Sequence, residues 1–151
     1  MAYPKGVSRA PLPPEVLPQF SGDYKEACLV FPDSPKASAA LSRRCLQNLL
    51  RECGKAKQKD LIEQIEFVKA SLPGPLQEAI DAIRVIGNFA AHPMKHTHSG
   101  EILDVEPGEA EWLLNVIEQL FDFYFVQPAI LAKQKAAMNA KLIAAGKKPL
   151  P

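Results

Sequence analysis

The sequence offers little to a membrane, a disulfide framework or a familiar catalytic motif. No stretch of its 151 residues approaches the ~18 consecutive apolar residues that a bilayer-crossing helix needs. The most apolar segment, FDFYFVQPAILA, is interrupted by Asp122, Gln127 and Pro128. The opening MAYPKGVSRAPLPPEVLPQF lacks the apolar core of a secretory signal. We therefore expect a cytoplasmic protein with no membrane partner. Cysteine is scarce, and the three present, Cys28, Cys45 and Cys53, are an odd number at no zinc-ligand spacing. Buried, reduced thiols are expected from them. A Gly-rich phosphate loop, a GxSxG elbow and a Cys–His nucleophile arrangement are all missing, and no cofactor is expected. Excess charge is missing too. Eighteen basic and seventeen acidic residues leave a net charge of +1, which excludes bulk attraction to nucleic acid but not a local patch.

What is there fits one domain, since 151 residues is an ordinary domain length and 47% hydrophobic with 23% charged residues is ordinary globular composition. Proline is abundant, and five of the fourteen fall in the first eighteen residues. Each removes an amide donor and fixes φ, so residues 1–20 read as an extended arm. Beyond it the periodicity is helical. A short first helix covers SGDYKEACLVF, with Ser21 or Asp23 as its cap. Ser34 caps a second helix that has Pro35 at its first position and ends near Cys53 and Gly54. Leu41, Cys45, Leu46, Leu49, Leu50 and Cys53 form its apolar stripe.

A third helix is expected from Asp60 through Ser71, and a fourth from about Pro75 to His92, closed by Pro93. Residues 93–106 read as a polar loop with a short extended piece at EILDV. A fifth helix starts at Glu106 and Pro107, with Glu109 and Glu111 near its positive end. Pro128 should break or kink the chain before a last helix to about Ala145. The expected architecture is all-α, a bundle of five or six helices over residues 21–128, with the arm before it and a basic helix and tail over 129–151.

The neutral total conceals segregated blocks. Residues 34–59 carry seven bases and one acid, residues 101–128 seven acids and no base, and residues 129–151 five lysines and no acid. Such blocks are solvated faces, or an acidic face meeting a basic one across a dimer, or a basic surface for phosphate.

The fourth helix carries a polar strip. Positions four apart advance about 40° on a helix, so Asp81, Arg84, Asn88 and His92 share a side opposite Leu76, Ile80, Ile83, Ile86 and Ala90. Arg84 suits a phosphate, and His92 can move a proton near neutral pH. The competing structural reading pairs Arg84 with Asp81 and leaves Asn88 and His92 to satisfy helix ends. His92, His96 and His98 also lie close together, but spacing alone is poor evidence for a metal and none is expected.

IGNFAAHP, with AIR before it, resembles the signature of the domain of unknown function 4145 family, which looks like a branch of the HEPN (higher eukaryotes and prokaryotes nucleotide-binding) helical domains. ASAALSRRCLQNLL resembles the family's earlier helix, with Arg43 at the arginine position and Gln47 where glutamate is common. EPGEAEWLLNVIEQLFDFYF resembles the final core helix. The resemblance spans roughly residues 22–128. It implies an interaction or RNA-binding module of the kind found in bacterial or phage defence and toxin systems.

Ribonuclease relatives of that group pair an arginine with a histidine a turn or so later, and two copies build a composite site. There the ribose 2′-hydroxyl attacks phosphorus and leaves a cyclic phosphate without a metal. In those enzymes the arginine directly precedes the residue aligned with Asn88, whereas this chain has Gly87. Asn88 and His92 carry over, and Arg84 lies too far upstream. The expectation is therefore a non-catalytic module, with a metal-independent endoribonuclease as the alternative. The tentative site is His92, Asn88 and Arg84, flanked by Arg43, Arg44 and Asp81. Gly87 is expected to receive a crossing helix, the second, from which Arg43 would reach Asn88 or His92. The aromatic run at Phe121, Phe123, Tyr124 and Phe125 exceeds what a small bundle hides, so a homodimer through the Trp112–Val126 helix is expected, with RNA or a partner protein as ligand.

Overall fold

The computed structural model describes residues 9–91 and 106–151, with side chains left out of account at 87–91, 106 and 107. Among the described residues there are six α-helices: α1 (Pro18–Val30), α2 (Pro35–Glu52), α3 (Leu61–Val68), α4 (Gly74–Ala91), α5 (Glu106–Phe121) and α6 (Gln127–Ala144). A 3-10 turn at Lys69–Ser71 follows α3, and a π-helical turn at Asp122–Val126 joins α5 to α6. The fold is all-α, as expected. The anticipated loop at 93–106 and its extended piece lie outside the described residues except at Glu106.

Helix α2 is the centre of the bundle. It packs against α1, α3 and α5, while α5 also packs against α1 and α4. The stripe read from the sequence is what α2 buries: Cys45, Leu46, Leu49 and Leu50 are all at most 1% exposed. Small residues let α1 approach it closely. Ser38 is fully buried and donates its hydroxyl to the Ala27 carbonyl at 2.7 Å. The Cys45 thiol lies 3.3 Å from the Phe20 carbonyl. Ser34 caps α2 as expected, accepting from the Ala37 amide at 3.1 Å.

Three local expectations are corrected. First, α1 begins at Pro18 rather than Ser21, with proline in the first turn, where a missing N–H costs nothing. The earlier start brings Phe20 into the core at 1% exposure, so the arm ends at Leu17. Among the described residues before it, Val16 is buried and Leu12 packs against the core.

Second, Gly54 does not supply the left-handed residue after α2; Lys55 does, at φ 60°. Glycine is required at 54 for space. A Cβ there would stand 2.7 Å from Val68 Cγ1, 2.8 Å from the Leu50 carbonyl oxygen and 3.0 Å from the Tyr124 hydroxyl.

Third, Pro128 does not break the chain. The residues before it take the wider π turn, in which the Gln127 amide bonds to the Asp122 carbonyl. A π turn shifts the hydrogen-bond register and relieves the clash that proline would make with the carbonyl four residues back. Helical backbone therefore runs without interruption from Glu106 to Ala144.

Helix α6 differs from the others. Among the described residues it packs on no element except the π turn that feeds it. Its far end closes with a Schellman motif: Gly146 is left-handed at φ 73°, its amide bonds to Ile143, and the Lys147 amide reaches back to Leu142. The tail then folds along the helix, where Asn139 exchanges two hydrogen bonds with the backbone of Leu150.

Candidate functional site

The described part of the α4 polar strip, Asp81 and Arg84, is already occupied. Arg84 donates to Asp81 from Nε at 3.3 Å and from Nη2 at 3.4 Å, and its Nε lies 3.7 Å from Glu66 on α3. Lys69 completes the group, 3.0 Å from Glu66 and 3.6 Å from Asp81. Two cations and two carboxylates thus alternate across the α3–α4 junction. The hydrogen bond from Arg84 holds the Asp81 carboxyl below its usual range, and the same bond raises the guanidinium pKa. The structural reading holds for this residue: Arg84 staples two helices.

Backbone helix continues from Arg84 to Ala91, so position 88 follows position 84 by one turn on the same side. The Asn88 side chain and the whole of His92 lie outside the described residues, as do His96 and His98. Among the described residues no group of three or more metal-ligating side chains occurs.

Arg43 reaches α5, and whether it also meets Asn88 or His92 lies outside the described residues. Its Nη2 pairs with Glu109 in the first turns of α5, where the carboxylate is 3% exposed. The helices packed on the described part of α4 are α3 and α5; the surroundings of Gly87 lie outside the described residues. Trp112 fastens α5 to α4 by donating from Nε1 to the Ala79 carbonyl at 2.9 Å. Arg44 points the other way, to α1, and clasps Asp23 with both arms of its fork, at 2.9 and 2.6 Å. That clasp holds the Asp23 carboxyl below its usual range. The four tentative site residues that are described, Asp81, Arg84, Arg43 and Arg44, therefore do not converge. Arg84 and Asp81 meet each other, and Arg43 and Arg44 diverge to α5 and α1.

Sequence reasoning missed two polar centres. One is Glu109, read only as a carboxylate near the positive end of its helix. It shares a helical stripe with Leu113, Val116 and Leu120, all buried, and that spacing was the available signal. The other joins α1, α5 and the arm. Glu118 accepts from the Tyr24 hydroxyl and from Arg9 Nη1 at 2.8 Å, and Arg9 also donates to Asn115 Oδ1 at 2.8 Å. Burial, then the bond to Glu118, drives the Tyr24 phenol far above its usual pKa. No sequence signal linked an arginine in a proline-rich arm to a glutamate a hundred residues away.

Further basic residues remain at the end of α2. Lys55, Lys57 and Lys59 are exposed on the loop to α3, and none of them forms an ion pair among the described residues. Among the described residues no helix is long and apolar enough to cross a membrane.

Comparison with curated proteins and with solved structures found no match in either. A family model does match, over residues 25–141, which takes in α2 to α5 whole, the second half of α1 and most of α6. The match includes both the α2 segment and the α4 motif, and it extends past Pro128 into the helix that the sequence reading had set apart. The chain belongs to the family described as domain of unknown function DUF4145.

Proposed function

We propose that this protein is a non-catalytic, HEPN-like module that binds RNA or a partner protein and acts as a homodimer. The observation that carries the reading is the engagement of Arg84. Its guanidinium is held between Asp81 and Glu66, so the cation nearest to the missing motif arginine is neutralised by its own neighbours. An arginine meant to stabilise a phosphorane would need a face without carboxylates. The loop lysines Lys55, Lys57 and Lys59 are the exposed cations that suit a phosphate backbone. Homodimer formation is supported by Trp112, which stays 39% exposed, and by Phe123 and Phe125, which are only half-buried. The link to bacterial or phage defence and toxin systems rests on the resemblance alone.

The test is direct. Metal-free protein is incubated with a mixed-sequence RNA, beside His92→Ala. Binding that weakens with salt, with no cleavage, is the expected result. Cleavage that leaves cyclic-phosphate ends and disappears in His92→Ala overturns the reading in favour of a metal-independent endoribonuclease with a degenerate motif.

A further inference from the structure

The least explained part of the molecule is α6. A helix of eighteen residues is about 27 Å long, close to the width of a small domain. In water, helices gain most of their stability by burying an apolar face, yet among the described residues this one is packed only by the π turn at its root. The folded-back tail occupies the side that carries Asn139 and Lys135. The side left open carries Ile130, Leu131 and Met138, which are 43%, 51% and 47% exposed.

Beside the root of α6 lies an apolar groove among the described residues. Its α6 half, of about 600 Å³, is lined by Phe123, Tyr124, Pro128, Ile130 and Leu131. Phe123 and Gln127 also line a second hollow of about 450 Å³, which runs on to Pro73, Pro75 and Leu76 at the start of α4. The wall of that second hollow is acidic, with Glu118 and Asp122. Asp122 has only the Gln127 amide as partner among the described residues, at 3.2 and 3.4 Å. The helix that needs cover is the opposite in charge. Residues 129–151 hold five lysines and no acid, and none of these lysines forms an ion pair among the described residues.

We infer that α6 of one copy docks into the Pro73–Phe123–Leu131 groove of a second copy, with its lysines against Asp122 and Glu118, and that the exchange is reciprocal. One chain carries both the groove and the helix that fits it. Such a surface is self-complementary, and a two-fold axis then buries two helices and two grooves at once. The charge pattern favours a second copy over a membrane surface: Glu118 already pairs with Arg9, and a bilayer would leave Asp122 without a cation. The inference rests on the homodimer proposed above and specifies what holds it together.

The experiment measures solution mass by light scattering at 50 µM on the full chain, on Leu131→Asp/Met138→Asp, on Asp122→Lys, and on Lys133→Glu/Lys135→Glu/Lys141→Glu. The wild type is expected at twice the 16.6 kDa chain mass, and each variant at 16.6 kDa with unchanged helical circular dichroism. Mixing the last two variants should restore the doubled mass, since each then supplies the partner the other lacks. A wild-type mass of 16.6 kDa overturns both the homodimer and the docking. A double-aspartate variant that stays dimeric overturns the docking and leaves a dimer on the Trp112–Val126 helix. Wild-type protein that is monomeric but sediments with vesicles rich in anionic lipid overturns it in favour of a membrane surface. If the double-aspartate variant loses helix, hydrogen exchange of wild-type α6 decides: protection that fades on dilution upholds docking, and concentration-independent exchange overturns it.

Discussion

Arg43 on α2 and Glu109 on α5 form an ion pair whose carboxylate is buried and whose guanidinium reaches solvent. The pair closes the interface between the two helices that supply half of the buried apolar residues. Its removal from one side leaves a charge in an apolar setting, which costs more than the pair itself contributes.

Arg43→Met should lower stability by about 2–3 kcal/mol, below the range for fully buried pairs because the guanidinium is partly wet. Glu109→Gln should cost less, since an amide still accepts a hydrogen bond. The double change to Met and Leu should cost less than the two singles together. Urea denaturation of the four proteins checks this, and strict additivity would argue that the pair is not coupled.

Gly54→Ala should destabilise by about 1–3 kcal/mol, the usual cost of overpacking a tight site. The nearest obstacles include the Leu50 carbonyl, which is backbone and cannot turn aside. A thermal melt unchanged within error would contradict the close approach of α2, Val68 and Tyr124.

Stability should fall on the alkaline side. Burial pushes the Cys45 thiol up to about 12 and the Tyr124 phenol up to about 12, and drives Tyr24 higher still. Each folded-state pKa lies above its unfolded value, so the fold favours the neutral form. That stabilisation is complete below pH ~9 and is lost as pH rises towards 12. Cys45→Ala should flatten the part of the urea-midpoint profile between pH 9 and 12. A profile identical to wild type would remove the thiol from the account.

The acid side has the opposite sign. Asp23 and Asp81 are held below the usual carboxylate range by Arg44 and Arg84, so their stabilisation is present above pH ~4 and fades as pH falls further. Both sites are solvated, and added salt should weaken the effect. Asp81→Asn should reduce the slope of stability against pH below 4. An unchanged slope would show that the α3–α4 charge cluster does not respond to protonation.

Much of the bundle was legible because local signals agreed. Ser34 and Pro35 marked the start of α2, and the Cys45-to-Leu50 stripe marked its buried face. The π turn was not legible. Nothing in DFYFV distinguishes five residues per hydrogen-bonded ring from four, and Pro128 reads locally as a breaker. Glu109 was misread because a carboxylate near a helix start has an exposed explanation at hand, and only its stripe with Leu113 and Val116 argued otherwise. The candidate site was legible as a strip on α4, but the carboxylate that reaches Arg84 from α3, Glu66, is a tertiary contact. Isolation of α6 was hidden for a similar reason: whether an apolar residue finds cover depends on where the rest of the chain goes.

The uninterrupted helix from Glu106 to Ala144 makes α5 and α6 one rod, roughly 55–60 Å at 1.5 Å per residue. Half of it is clamped in the core and half projects. A load on the projecting half bears first on the π turn, the one place where the hydrogen-bond register is already shifted. Phe125 belongs to that turn and stacks near Phe20 and Phe121, with ring centroids 5.5 and 6.1 Å away. Through Phe125 the turn that carries α6 is thus seated on the same aromatic contacts that hold Phe20 of α1 and Phe121 of α5.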